Sequence, residues 1–253
     1  MLNLRRGVIG VGAMLLVSSV AGCGASSPTA PTSEETPSTN GSEETPSTGG
    51  PDTGPMVDGI SLSELPATQT MVAMPFDPAA VTLISPFKPS HTGINIYTVS
   101  GGRFLSPGTG IVTKIELNTG NGLPGGTNYG IRIHLTSTGL KAWYHFEING
   151  SISNQTQRDN ILVALGDRVT AGQHIGNLVN LGEHAHVHFD ILDAGGRAAV
   201  RCPLVYFSSA VATAWEDLYD AKIRERDEER IKNNRGSVPS LPDLCNEVDT
   251  PNS

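Results

Sequence analysis

From about Met71 onward the chain is a succession of short apolar and β-branched runs broken by turn signals. The runs fall at Val81–Ile84, Ile94–Thr98, Gly110–Leu117, Tyr129–Leu135, Leu140–Phe146, Ile161–Ala164, Ile175–Leu178, His186–Leu192 and Ala198–Val200. Turns are marked by Ser106-Pro107-Gly108, Gly120-Asn121-Gly122, Pro124-Gly125-Gly126 and Gly195-Gly196. Many short strands without intervening helices predict a mainly β fold: an antiparallel sheet, sandwich or barrel. The most regular stretch is Gly182–Leu192, GEHAHVHFDIL. There His184, His186, His188 and Asp190 take every second position, with Ala185, Val187 and Phe189 in the gaps. Such alternation predicts a strand with one polar and one apolar face. Same-face residues then stand about 6.5–7 Å apart, so several imidazoles come within reach of one ion or substrate.

Near the C-terminus the spacing becomes helical. Val211, Trp215, Leu218, Tyr219 and Ile223 form one stripe between about Ser208 and Asn233. Ser208 or Ser209 is placed to cap this helix, and Trp215 with its neighbours is expected to dock on the β domain. The charged run RERDEERIK beyond Ile223 reads as a solvated helix end.

The other end of the chain is of a different kind. Arg5 and Arg6 precede an apolar run, Val8–Val17, shorter than the roughly 20 residues of a spanning helix. Residues 1–22 therefore read as an export signal. The sequence Val20-Ala21-Gly22-Cys23 resembles a bacterial lipobox. That resemblance implies lipidation of Cys23, attachment to a membrane through the lipid, and an extracytoplasmic place in the cell envelope. Gly24 after the cysteine points to the outer membrane if the host is Gram-negative. Residues 23–60 are rich in Ser, Thr, Pro, Glu and Gly, with SEETPST at 33–39 and again at 42–48. Such a segment cannot bury enough apolar surface to order itself and reads as a disordered tether. About 40 flexible residues reach roughly 35 Å. The remainder divides into a β domain over 61–205 and a helix with a tail over 206–253.

Composition changes the picture at two points. Asp plus Glu number 25 against 17 for Lys plus Arg, and the net charge of −8 argues against a nucleic-acid partner. The three cysteines matter once export is inferred: with Cys23 carrying lipid, Cys202 and Cys245 are expected to pair and staple the tail to the β domain.

Three further segments accompany the histidine strand: His91-Thr92-Gly93-Ile94-Asn95, Tyr144-His145, and the run from Val163 through Gly166-Asp167-Arg168-Val169 and Gly172-Gln173 to Gly176. In this order, over roughly residues 88–192, they resemble the lysostaphin/LytM-type zinc metallopeptidases, which cut peptide cross-bridges in bacterial peptidoglycan. The resemblance implies a zinc ion held by His91, the residue at position 95 and His188. His186 and His145 would flank the metal-bound water. His186 is assigned to take its proton and His145 to stabilise the oxyanion. Asp190 would orient His188 or its neighbour. His184 has no counterpart in the motif and is either an extra pocket residue or exposed. His134 and His174 match no functional position, and His134 is expected at the sheet surface.

The departure is Asn95, where the family carries an aspartate. A neutral amide removes the only negative charge among the ligands, and the loss of affinity should be at least the ~10–100-fold of a lost outer partner. Three readings follow: a weaker zinc enzyme, a site using another carboxylate, or a fold that has lost catalysis and binds peptidoglycan or activates a separate hydrolase. Retention of His91, His145, His186 and His188 together argues against the last. The expected activity is hydrolysis of an amide bond in peptidoglycan peptide.

Overall fold

The alternating heptapeptide KAWYHFE, Lys141–Glu147, is a central strand of a seven-stranded antiparallel sheet. The structure, a computed structural model, describes residues 54–88, 92–119, 127–148, 154–179, 185–195, 201–233, 235 and 243–245. All of them belong to one unit, Gly49–Ser253. In chain order the elements are β1 (Met56–Val57), β2 (Ile60–Ser61), β3 (Val81–Ser85), β4 (Ile94–Thr98), β5 (Gly102–Leu105), β6 (Gly110–Thr119) and β7 (Thr127–His134). They continue with β8 (Lys141–Glu147), α1 (Asn154–Asp159), β9 (Arg168–Val169), β10 (His174–Leu178), β11 (His186–Leu192) and α2 (Ser209–Lys232). The large sheet runs β3-β4-β11-β8-β7-β6-β9, and β5 pairs with β10 in a second ladder. The expected mainly β, antiparallel architecture with a C-terminal helix is the one observed.

One face of the large sheet is the core. Ile94, Ile96, Ile131, Ile133, Ala142, Tyr144, Phe146, Val187, Phe189 and Ile191 are all buried there. The second ladder contributes Phe104, whose ring meets Tyr144 and Phe146 edge-on at 6.5 and 5.4 Å. The opposite face carries the polar residues of the central strands, and several of them, Thr113, His134, His188 and Asp190, are buried.

The glycine-containing run before β10 is structural. Gly166 and Gly172 adopt φ of 87° and 77°, which side chains with a Cβ rarely tolerate. Beside them, Asp167 accepts a hydrogen bond from the Ala164 amide at 2.7 Å, and Gln173 accepts from the Thr170 amide at 3.0 Å. Backbone bonds from Val112 to Asp167 and from Gly172 to Ser106 tie these turns to β6 and to the end of β5.

Trp215 of α2 is fully buried, with the rings of Phe76, Phe207 and Phe189 at 5.0, 5.5 and 5.9 Å. This is the docking expected from the stripe. Ser208 takes the N-cap position without a side-chain capping bond. Cys202 and Cys245 are bonded, with Cα atoms 5.5 Å apart. Phe87, just past edge strand β3, pairs with Cys245 and donates its N–H to Leu244 at 2.9 Å.

The structure departs from expectation in several places. Order does not wait until Met71: β1 and β2 form a hairpin, and Leu62 and Leu65 are buried against Ile111. Residues 54–60 therefore belong to the β domain rather than to the tether. β5 was not foreseen, because it is only four residues long and runs straight into the turn signal Ser106-Pro107-Gly108. Ile161–Ala164 is not a strand. Ile161 makes one isolated bridge to Gly176, and the chain then turns at Gly166. The short helix α1 precedes it, and its buried Gln157 bonds the backbone of Asn177 and Val179. The signal segment, Cys23, most of the tether and Ala198–Val200 lie outside the described residues. Among those described, no helix is long and apolar enough to cross a membrane.

Candidate active site

The polar face brings β4, β11, β8 and β7 side by side. Across it, Asn95 faces His188 and His188 faces His145. The next row places Asp190 opposite Trp143 and Trp143 opposite Arg132. On the other side His186 faces Glu147. The alternation within β11 and β8 thus puts three histidines and two carboxylates on one surface. It is not an open surface, since His188 and Asp190 are only 8% and 6% exposed.

His188 is gripped at both ring nitrogens. Nδ1 lies 2.6 Å from the Asn95 amide oxygen, and Nε2 lies 3.1 Å from the Asp190 carboxylate. The same Asp190 oxygen is 3.9 Å from His145 Nε2, beyond hydrogen-bond length. Gly93, at φ 88°, makes the approach possible. A Cβ there would collide with the Asp190 carboxylate and stand 2.7 Å from His188 Nε2.

His145 stacks on Trp143 with ring centroids 4.1 Å apart, and its ring centroid lies 5.7 Å from that of His188. Burial first, then His188 and Arg132, hold the His145 pKa down to about 3. At neutral pH it is therefore an uncharged imidazole with one N–H to donate. His186 lies over Tyr97, centroids 4.9 Å apart, with Nε2 3.4 Å from Glu147. When Nε2 carries the proton toward that carboxylate, Nδ1 presents a lone pair.

Two expected residues, His91 and His184, lie outside the described residues. The expectation for His134 is overturned. It is 3% exposed, and its Nδ1 sits 2.7 Å from the Thr113 hydroxyl. Thr113 reaches it because β6 shifts register between Val112 and Lys114. Burial, then Lys141 and Arg132, lower its pKa to about 4. His174 bonds Asn177 at 2.9 Å, away from the histidine rows. The sequence reading did not single out Glu147 or Tyr97. The alternation His145-Phe146-Glu147 carried the signal for the first.

The residues fit a zinc ion in part. The Asp190 carboxylate beside Nε2 is the carboxylate–histidine arrangement that supports a metal ligand through the other nitrogen, and that nitrogen, Nδ1, faces the Asn95 amide oxygen. Among the described residues, however, no group of three or more His, Cys, Asp or Glu side chains is arranged to hold a metal. The Asn95–His188 separation is a hydrogen-bond length. Two zinc ligands on bonds of about 2.0–2.1 Å in a tetrahedral site would stand roughly 3.3 Å apart.

No family model matches this chain, and no curated protein does. Solved structures do resemble it. One is a Pseudomonas aeruginosa protein assigned to peptidase family M23, with 15% identity over 56% of this chain and 54% of the other, TM-score 0.38. A second is a zinc-containing peptidase from Vibrio cholerae, with 21% identity over 52% and 39% of the two chains, TM-score 0.39. A third is lysostaphin, with 18% identity over 50% and 48%, TM-score 0.34. In each case the match spans less than two thirds of the other protein.

Proposed function

We propose that this chain is an envelope lipoprotein whose β domain hydrolyses an amide bond in peptidoglycan cross-bridge peptide. Zinc would be held by His188, Asn95 and His91. The observation that carries the reading is the meeting of His188 and Asn95 across β11 and β4, with His145 and His186 on the same face. Zinc, when bound, supplies a Lewis acid for the scissile carbonyl and lowers the pKa of water toward about 7.

The chain's own residues divide the remaining work. His186, backed by Glu147, takes the proton of the attacking water. His145, uncharged and stacked on Trp143, donates its N–H to the carbonyl oxygen as that atom gains charge. Asp190 orients His188, and the Trp143 ring orients His145. Lipid on Cys23 and the tether would keep the domain beside its membrane, which is the outer membrane in a Gram-negative cell.

The Asn95–His188 bond also favours a second reading. An Nδ1–H that donates to the Asn95 amide oxygen at 2.6 Å leaves that nitrogen no lone pair for an ion. On that reading the domain is catalytically silent and binds peptidoglycan or activates another hydrolase. The two separate in one experiment: the chain from Gly49 onward is assayed for bound zinc and incubated with sacculi, with and without chelator. Stoichiometric zinc and chelator-sensitive release of peptides establish the hydrolase. Absence of metal with retained pelleting on sacculi establishes the binding domain.

A further inference from the structure

The polar face continues past the histidines. The Arg132 guanidinium carbon lies 4.3 Å from the centroid of the Trp143 ring, and that ring stacks in turn on His145 at 4.1 Å with the planes 34° apart. Three planar groups thus form one ledge from β7 to the candidate active site. Arg132 has no carboxylate partner among the described residues. Its Nε is closed off from solvent without a hydrogen bond, and so is Trp143 Nε1. The indole steadies the cation but offers it no acceptor. Lys141, two positions before Trp143 on the same face of β8, adds a second positive charge. Burial, then Arg132, holds its ammonium below the ordinary lysine range. The two cations share this part of the face with Asp193, which acts on Lys141, and with Asp190, across from Trp143. With Nε closed off, the two terminal Nη groups are what Arg132 can offer a ligand, an end-on fork that suits a planar, two-oxygen acceptor.

We propose that Arg132, steadied by Trp143, is a subsite for a carboxylate of the bound peptide, so that the site selects acidic peptides over their amidated forms. The location beside the reacting groups rests on the peptidase reading, whereas the binding needs no turnover.

The chain has two tryptophans, and Trp215 is fully buried under α2. It serves as an internal control for Trp143. Nitrogen-15-labelled full chain is titrated, in chelator so that nothing is cleaved, with acetyl-tetra-alanine and with its C-terminal amide. The acid form should shift the Trp143 indole N–H saturably and leave Trp215 in place, and the amide should bind at least about fivefold more weakly. Arg132→Gln should abolish that preference, and Arg132→Lys should keep part of it. Equal affinity for acid and amide, no movement of Trp143, or an undiminished preference in Arg132→Gln would overturn the proposal. So would inorganic phosphate shifting Trp143 as strongly as the acid peptide. The wild-type comparison stands even if a variant fails to fold. An inactive sacculus assay beside a positive titration would sink the hydrolase and spare the subsite.

Discussion

Asn95 and His188 face each other across β4 and β11, and the amide oxygen of one lies 2.6 Å from Nδ1 of the other. Because Asp190 holds the second ring nitrogen, the imidazole is oriented whether or not an ion is present. The remaining variable is the charge at position 95. Asn95→Asp should raise zinc affinity at least about tenfold, read by competition with a chromophoric chelator. Unchanged affinity would remove residue 95 from the ligand set.

Gly93 is where backbone conformation and site geometry coincide. Gly93→Ala adds a Cβ at φ 88° and drives it into Asp190 and His188. The expected cost is about 1–3 kcal/mol in urea unfolding, with loss of any zinc binding. A variant as stable as wild type that still binds zinc would show the strand can move aside.

His134 supplies a pH dependence of stability. Its folded pKa is about 4, below the ordinary 6.5, so between those values the unfolded chain binds more protons. Stability is then full above about pH 6.5 and falls as the pH drops toward 4, by up to about 1.4 kcal/mol per pH unit. His134→Gln should flatten this dependence. Parallel curves of urea midpoint against pH for the two proteins would refute the assignment.

The Cys202–Cys245 bond closes a sequence separation of 43 residues. In the chain-entropy account such a closure contributes about 4 kcal/mol. Replacing both cysteines by alanine should lower unfolding stability by about that amount, measured in urea at neutral pH. A difference near zero would mean that Trp215 and its aromatic neighbours alone hold the C-terminal segment.

Much of the fold was legible because its strands are one-sided. β8 and β11 alternate strictly, and a period of two is readable from any short window. α2 was legible from Trp215 and Tyr219 on one stripe. β5 was not, since Phe104 stands in a four-residue run beside a turn signal and becomes a strand only by pairing with β10. His134 was misplaced for a related reason: nothing local says that Thr113 bulges toward it.

By itself, then, the order of residues determined which side chains share a face: the histidines and Asp190 on one side of β11, Val187 and Phe189 on the other. It also determined the helical stripe and the pair of cysteines left to bond. Tertiary structure alone decided which faces meet. Asn95 and His188 are 93 positions apart, and a shift of one residue in the pairing of β4 with β11 would point Asn95 at the core. The registers of β8 with β11 and with β7 likewise give Glu147 to His186 and Arg132 to Trp143, because strand pairing, not sequence distance, sets which side chains touch.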